Sequence, residues 1–259
     1  MLPVIHIGPF SVVTYGLVYA LAALAGGSLA FWRMRHVTAR APTWRLQILL
    51  VMTAIVVGLW LPGLIQTRIE SLLTGQPPVP VQMRVYYGMA FGIGALLILT
   101  RINHRDPGSR LDQLAPPFAL AYAIGRLGCL AAGCCGGSET DALLSLNLPN
   151  EQGIWAQRYP TQILSGFFQL GVFFLLLFLE KRRRQPALAW LKRDGALFCL
   201  YMSLFAVERF VLDFFREDYA PVSGWMSQPQ MWMGVTLAAA LAGLAWLNLK
   251  GVNDDIRKL

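Results

Sequence analysis

The sequence predicts an all-α integral membrane protein: a seven-transmembrane-helix bundle with its N-terminus outside and its C-terminus in the cytoplasm. Three observations predict it. Of 259 residues, 56% are hydrophobic and only 14% charged, where a soluble domain carries about a quarter. The apolar residues gather into seven runs near the roughly 17–25 residues that cross the hydrocarbon of a bilayer. The basic residues alternate sides between those runs.

In order, the runs are Phe10–Trp32, Leu46–Gln66, Val85–Thr100, Leu114–Gly137, Thr161–Leu179, Gly195–Phe215 and Met231–Leu249. The first has no charge over its length, nor has the second; the third is the shortest, and the fourth is broken only by Arg126. Arg33, Arg35, Arg40 and Arg45 follow the first span; Arg101, Arg105 and Arg110 follow the third. Lys181–Arg184, Lys192 and Arg193 follow the fifth; Lys250, Arg257 and Lys258 follow the seventh. Sixteen of the 22 basic residues therefore share one side, against Arg68, Arg84, Arg158 and Arg216 on the other. Positive loops face the cytoplasm, which sets the orientation. A net charge of +8 invites a nucleic-acid reading, but a nucleic-acid patch has no reason to alternate with membrane spans, so no nucleic-acid partner is expected.

The opening "MLPVIHIGPF" lacks the basic start and small-residue cleavage site of a signal peptide, so the first span is expected to stay. The whole chain, 1–259, is expected to form a single polytopic membrane domain. Its outer loops are placed at about 67–84, with the proline-rich "TGQPPVPVQ", and at 138–160. Part of the second, with Trp155 and Tyr159, is expected on the outer membrane surface. In "GMAFGIG", Gly88, Gly92 and Gly94 offer a small-residue face for close helix packing.

Four ionisable residues fall within the spans: Arg126 on the fourth and Glu208, Arg209 and Asp213 on the sixth. Each costs about 2.5–3.5 kcal/mol at a helix centre, so partners or function must keep them. Arg209 and Asp213 are i and i+4, hence on one helix face, which Phe205 and Arg216 extend. Two readings follow: a salt-bridge network that fixes helix registry, or a pocket for an anion. Guanidinium forks suit phosphate, and a phosphate met from the outer leaflet belongs to a phospholipid or another lipid-linked group. Further polar side chains at membrane depth are Tyr15, Tyr19, Tyr86, Tyr87, Gln162 and Gln228; His6, His36 and His104 all fall outside the spans. Cys129, Cys134 and Cys135, with Cys199 elsewhere, do not make a disulfide scaffold. Their spacing suits a metal poorly, since a site needs three or four converging ligands. They read as packing or pocket-wall residues, with a redox pair as the alternative. No metal and no cofactor is expected.

Several motifs together resemble one family, the bacterial phosphatidylglycerol–prolipoprotein diacylglyceryl transferases. "FSVVTYGLVYALA", with Tyr15, Gly16 and Tyr19, resembles its Tyr-Gly-x-x-Tyr helix. "YYGMAFGIG" is similar to its His-Gly-Gly-x-x-Gly helix, and "GRLGCLAAGC" to its Gly-Arg-x-Gly-Asn-x-x-Asn-Gly-Glu signature. "RYPTQIL" resembles His-Pro-Ser-Gln-Leu-Tyr, "RFVLDFFRE" resembles Arg-Phe-x-x-Glu-Phe-Phe-Arg-Glu, and "WMSQPQ" resembles the closing Ser-Met-Gly-Gln segment. The order is kept along nearly the whole chain. The departures are specific: Tyr87 and Tyr159 replace His, Cys129 and Ala132 replace Asn, Cys134 replaces Glu, and Asp213 shortens a Glu.

The resemblance implies transfer of the diacylglyceryl group of phosphatidylglycerol to the lipobox cysteine thiol of preprolipoproteins, at the bacterial cytoplasmic (inner) membrane. A thioether forms and glycerol phosphate leaves. Arg126, Arg209, Tyr87 and Asp213 are the expected catalytic residues: the arginines stabilise the leaving phosphate, Asp213 orients Arg209, and Tyr87 relays a proton. Arg126, Gly128, Tyr19, Gly88, Gln162, Cys129, Cys134, Arg216 and Gln228 are expected to line the phospholipid site. The partners are phosphatidylglycerol or a related phospholipid, preprolipoprotein signal peptides and the bilayer. Two other readings stay open: the same fold and phospholipid pocket with a different acceptor or reaction, and a non-enzymatic lipid-binding or transport protein.

Overall fold

A computed structural model describes residues 4–7, 10–38, 44–75, 85–102, 107–150, 153–217 and 219–256. Seven long helices run through it: α1 (Thr14–Thr38), α2 (Trp44–Thr74), α3 (Val85–Ile102), α4 (Pro107–Ala132), α5 (Thr161–Arg182), α6 (Ala196–Asp213) and α7 (Gln228–Ile256). Three two-stranded antiparallel hairpins stand between or before them: β1 (Val4–Ile7) with β2 (Phe10–Val13), β3 (Leu146–Pro149) with β4 (Trp155–Arg158), and β5 (Pro221–Ser223) with β6 (Met226–Ser227). A short 3-10 helix, Pro186–Leu191, links α5 to α6. Five helical segments among the described residues are long and apolar enough to cross a membrane: Gly16–Arg35, Leu49–Thr74, Pro107–Ala132, Thr161–Arg182 and Gln228–Lys250. Ala90–Ile102 is a shorter apolar segment. The protein is an all-α integral membrane protein. α6 stands apart from the five because Glu208, Arg209 and Asp213 all fall within its 18 residues.

Three expected boundaries shift, each for a local reason. Residues 10–13 form a strand rather than the start of a helix; β-branched Val12 and Val13 favour a pleated backbone, and Val13 pairs with Val4. The second helix runs on through the first eight residues placed in an outer loop. "TRIESLLT" is rich in helix formers, Gln66 bonds Glu70 at 2.7 Å one turn on, and the helix ends only at Gly75. That glycine has φ 67 and donates to Ser71 O at 2.9 Å, as a left-handed helix terminus should. The fourth helix ends at Ala132, not Gly137.

The chain divides into two compact units. The first comprises residues 1–30 and 108–259; the second comprises 31–107. In the second, α2 packs on α3 through glycines: a Cβ on Gly58 would lie 2.6 Å from Tyr87 O, and one on Gly92 would lie 2.5 Å from Ile55 Cγ1. So Gly92 packs as the small-residue face predicts, whereas Gly94 meets nothing.

In the first unit α4 is the central helix. More than half of its apolar window is buried, against about a tenth of that of α7. Small residues make this possible: Ala115 and Ala119 are wholly buried, and a Cβ on Gly26 of α1 would lie 2.7 Å from Ala121 Cβ. Leu197, Tyr201 and Phe205 of α6 and Leu176 of α5 complete the core. The outer surface keeps large apolar side chains, among them Leu17, Phe167, Phe174, Trp232 and Trp246, as lipid-facing helices require.

Candidate functional site

The site is built where α4 ends. Arg126, on its last two turns, is buried. Its Nη2 donates to Tyr122 Oη at 2.7 Å one turn back, and its guanidinium lies over the Tyr122 ring, 5.0 Å from the centroid. Its Nε donates to Ser165 Oγ of α5 at 2.9 Å. Ser165 in turn donates to Glu208 Oε1 of α6, and Gln169 Nε2 donates to Glu208 Oε2 at 3.1 Å. A cation on α4 thus reaches a carboxylate on α6 through one hydroxyl on α5. Arg209, next to Glu208, is buried too, and the two guanidiniums are near enough to repel each other. Two buried cations thus share this part of the bundle with two buried carboxylates, Glu208 and Asp213.

Beyond Arg126 the chain turns sharply. Gly133, with φ 74, donates to Leu130 O at 3.2 Å, and Cys134 N donates to Cys129 O at 3.1 Å. Those two bonds are the Schellman closure of a helix. Cys135 then takes φ 58, the one positive φ outside glycine among the described residues. The turn is tied to the start of α5: Gln162 Nε2 donates to Cys134 O at 2.9 Å, and Thr161 Oγ1 to Cys135 O at 3.1 Å. Gly137 threads a gap that no side chain would fit, since a Cβ would lie 2.3 Å from Tyr159 O. The sulfurs of Cys129, Cys134 and Cys135 consequently lie within 4.8 Å of one another. Their convergence runs against the expectation that this spacing suits a shared ligand poorly. Five residues separate Cys129 from Cys134 in sequence, but the chain reversal at Gly133 closes that separation.

Most other predicted site residues in this unit lie near this turn. Tyr19 Oη is 3.5 Å from Cys129 Sγ. Gly128 leaves room for α1, because a Cβ there would meet Tyr19 Cδ2 and Val18 Cβ at 3.2 Å. Gln162 is fully buried, and its Oε1 accepts no hydrogen bond. Asp213 accepts a short hydrogen bond from Ser227 Oγ and lies 4.0 Å from Arg216 Nε. Arg216 pairs across a β-bridge with Gly137. Gln228, at the head of α7, is exposed; the buried glutamine there is Gln230, whose Oε1 accepts from Ser227 N at 2.9 Å and whose Nε2 donates to Phe210 O at 3.2 Å. Tyr87 and Gly88 belong to α3 of the other unit, where Tyr87 is exposed and Gly88 buried. The side chains of Tyr15 and Tyr86 lie outside the described residues.

The sequence reading missed several residues that shape the site. Ser165 and Gln169 follow Gln162 at i+3 and i+7, a polar stripe on an apolar helix that periodicity alone could have found. Arg158, counted only as a loop charge, is 1% exposed. It bonds Glu139 at 2.8 Å and lies 3.0 Å from Glu217 Oε1, off the hydrogen-bonding angle. Asn150 also holds Glu217, at 3.2 Å. The β3–β4 hairpin and the segment before it are therefore stitched to the end of α6. Leu143 and Leu144, in the turn before β3, and Trp155, at the start of β4, are exposed.

A buried pair of arginines on the fourth and sixth helices, a Gly-Arg-x-Gly segment and a buried glutamine at the head of the fifth recur in order along the chain. The family model for prolipoprotein diacylglyceryl transferase matches residues 3–247. The chain belongs to the prolipoprotein diacylglyceryl transferase family. It is 29% identical to a phosphatidylglycerol–prolipoprotein diacylglyceryl transferase of Francisella tularensis over 262 residues, 98% of this chain and 94% of that one. A protein of the same name from Dehalococcoides mccartyi is 29% identical over 83% of this chain and 82% of its own. Phosphatidylglycerol–prolipoprotein diacylglyceryl transferase 2 of Clostridium perfringens is 30% identical over 64% of this chain and 61% of its own. Against the family's pattern, the cysteine cluster stands where the signature has Asn and Glu.

Proposed function

We propose that this chain transfers the diacylglyceryl group of phosphatidylglycerol to the lipobox cysteine of preprolipoproteins in the bacterial cytoplasmic membrane. In this reading it acts as one polytopic domain of seven spans, N-terminus outside, with the site toward the outer leaflet. Membership of the family supports the reaction class. The observation that carries the reading is Arg126, buried with Arg209 nearby and tethered through Ser165 to Glu208.

The acceptor thiolate attacks the glyceryl carbon bonded to the phosphate oxygen. A C–S bond forms, the C–O bond breaks, and the electron pair leaves with glycerol phosphate. Negative charge grows on that phosphate. Donors aimed at such charge in a water-poor site often supply the largest share of catalysis. Arg126 and Arg209 are the donors, and Asp213, i+4 from Arg209, shares its helix face. The same positive field lowers the pKa of the incoming thiol, so that it reacts as thiolate. Gln162 Oε1, a buried acceptor without a partner, suits a glycerol hydroxyl, because buried polar groups rarely stay unpaired. Gly128, Tyr19, Cys129, Cys134 and Arg216 form the surrounding wall. For Tyr87 as proton relay and Gly88 as a lipid contact, the support is their position in the family's motifs; for Gln228 it is a polar side chain at the head of the seventh helix.

The test is direct. Purified protein in vesicles containing phosphatidylglycerol is given a lipobox peptide, and the product is weighed by mass spectrometry. A peptide heavier by one diacylglyceryl group, with glycerol phosphate released, is expected. Retention of unchanged lipid with no modified peptide would instead make the chain a lipid-binding protein.

A further inference from the structure

We propose that Cys129, Cys134 and Cys135 form a three-thiolate site for a soft, thiophilic cation, copper(I) foremost. The geometry fits such an ion. Around a metal with sulfur bonds of about 2.3 Å, three coplanar sulfurs sit about 4 Å apart. Here all three lie within 4.8 Å of one another, so small side-chain rotations bring them to bonding distance. Among the described residues no fourth His, Cys, Asp or Glu joins the group. Three sulfurs and no hard ligand select soft metals, and the missing fourth ligand favours copper(I) over tetrahedral zinc.

The backbone is arranged to converge these sulfurs. Cys135 holds φ 58, which costs a side-chain-bearing residue on the order of 1–3 kcal/mol. Glycine occupies the neighbouring positions 133, 136 and 137 and would occupy 135 at no such cost. The two carbonyls at 134 and 135 are anchored to α5 by Gln162 and Thr161, so the thiols are positioned before any ligand arrives. Cys129 is buried, whereas Cys134 and Cys135 are half-buried, which leaves a route in from outside. All four cysteines of the chain are free thiols.

Binding balances simply. Copper(I) exchanges three S–H protons for three Cu–S bonds, the protons going to solvent, and no electron is transferred. The resulting complex carries two negative charges. Arg126, three residues before Cys129 and on the same helix face, offsets part of that charge. Cys134 gives up its contact with Cys129 O, now 3.7 Å. An ion seated there lies beside the proposed phosphate seat, so it would govern access to it.

The proposal stands apart from the transferase reading, since its assay contains neither peptide nor added phospholipid. Full-length protein, reduced and purified anaerobically in detergent, is titrated with copper(I) against the chromophoric chelator bicinchoninate. One copper(I) per chain is expected, with a sulfur-only first shell of three atoms by X-ray absorption. Cys129→Ser, Cys134→Ser and Cys135→Ser should each weaken binding at least a hundredfold. Cys199→Ser, on α6 and outside the cluster, should bind as the unaltered protein does. Cys135→Gly separates ligand loss from unfolding, because it relieves the strained φ: it should melt no lower than the unaltered protein yet bind far more weakly. Unchanged copper(I) binding in the triple serine variant overturns the proposal. So does absence of binding when four thiols react in the folded protein, or a disulfide between two of the three that forms in air, with oxygen as oxidant, once reductant is removed from the copper(I)-treated protein.

Discussion

The two ends of α4 handle a buried charge in opposite ways. Near its start, Asp112 is 1% exposed. Its Oδ1 accepts from Phe198 N at 2.9 Å, capping the first turn of α6, and its Oδ2 lies 3.4 Å from Arg183 Nη1. Arg183 also reaches Asp194 Oδ1 at 3.1 Å and Lys192 O at 3.0 Å. Both carboxylate oxygens are engaged, and opposite charge is beside them. Near its end, Arg126 bonds two neutral hydroxyls, and its carboxylate is one residue further away. Around it Gln162 and Gln169 each keep a buried oxygen without a partner. The Asp112 end is a closed joint between helices. The Arg126 end has buried acceptors to spare, which is what a site for a polar ligand requires.

Removing each charge should separate the two ends. Arg126→Ala is expected to cut diacylglyceryl transfer by about 10²–10³, the usual cost of losing one donor to a developing anion. Its thermal unfolding should change less than that of the Asp112 variant, because Arg126 bonds two neutral hydroxyls rather than a charged partner. A variant that retained full transfer would remove Arg126 from the reaction. Asp112→Ala should do the reverse. It loses a helix cap and a charged pair, worth about 1–3 kcal/mol together, and so lowers the melting temperature. Transfer per folded molecule should stay near that of the unaltered protein. If activity fell while stability held, the Asp112 end would not be the passive joint its geometry describes.

The contrast also explains what the sequence could and could not tell. Spans, basic loops and intramembrane charges are properties of composition and order, so they are legible without a structure. Arg126 and Arg209 stood out for that reason, since charge in an apolar run is conspicuous. Partners were not legible. Helical spacing puts Asp213 on the face of Arg209, but spacing does not show its contacts with Ser227 and Arg216, which lie beyond the helix end. Sequence spacing alone, five residues from Cys129 to Cys134 and then an adjacent pair, does not bring the cysteines together. Gly133 was the available signal for a helix stop, and once the chain reverses there the sulfurs meet. Gln228 and Gln230 both stand in the closing motif; two residues are less than one helical turn but reverse which side chain faces the core, and that is Gln230.

Glu208 sharpens the comparison within the Arg126 end itself. If the relay from Arg126 through Ser165 positions the guanidinium, Glu208→Gln should keep the shape and weaken the tether. Transfer is then expected to fall about tenfold, or ~1.4 kcal/mol, the scale of a hydrogen bond to a charged group. The loss should appear in kcat more than in KM, since a misaimed donor costs most where charge develops. A rise in KM alone would mean that Glu208 shapes lipid binding instead.

The smallest effect belongs to Tyr19→Phe. Its hydroxyl lies 3.5 Å from Cys129 Sγ, within reach of only a weak bond, because thiols are poor donors and acceptors. Its ring fills the space left by Gly125 and Gly128, and phenylalanine would fill it equally. Stability should therefore shift by no more than about 0.5 kcal/mol, the usual range for a change away from strong contacts. Copper(I) affinity should rise slightly or stay level, because a thiolate bonded to metal no longer needs the hydroxyl. A large loss of transfer in this variant would instead place the Tyr19 hydroxyl on the lipid, and would move the boundary of the site from the cysteine turn to the face of α1.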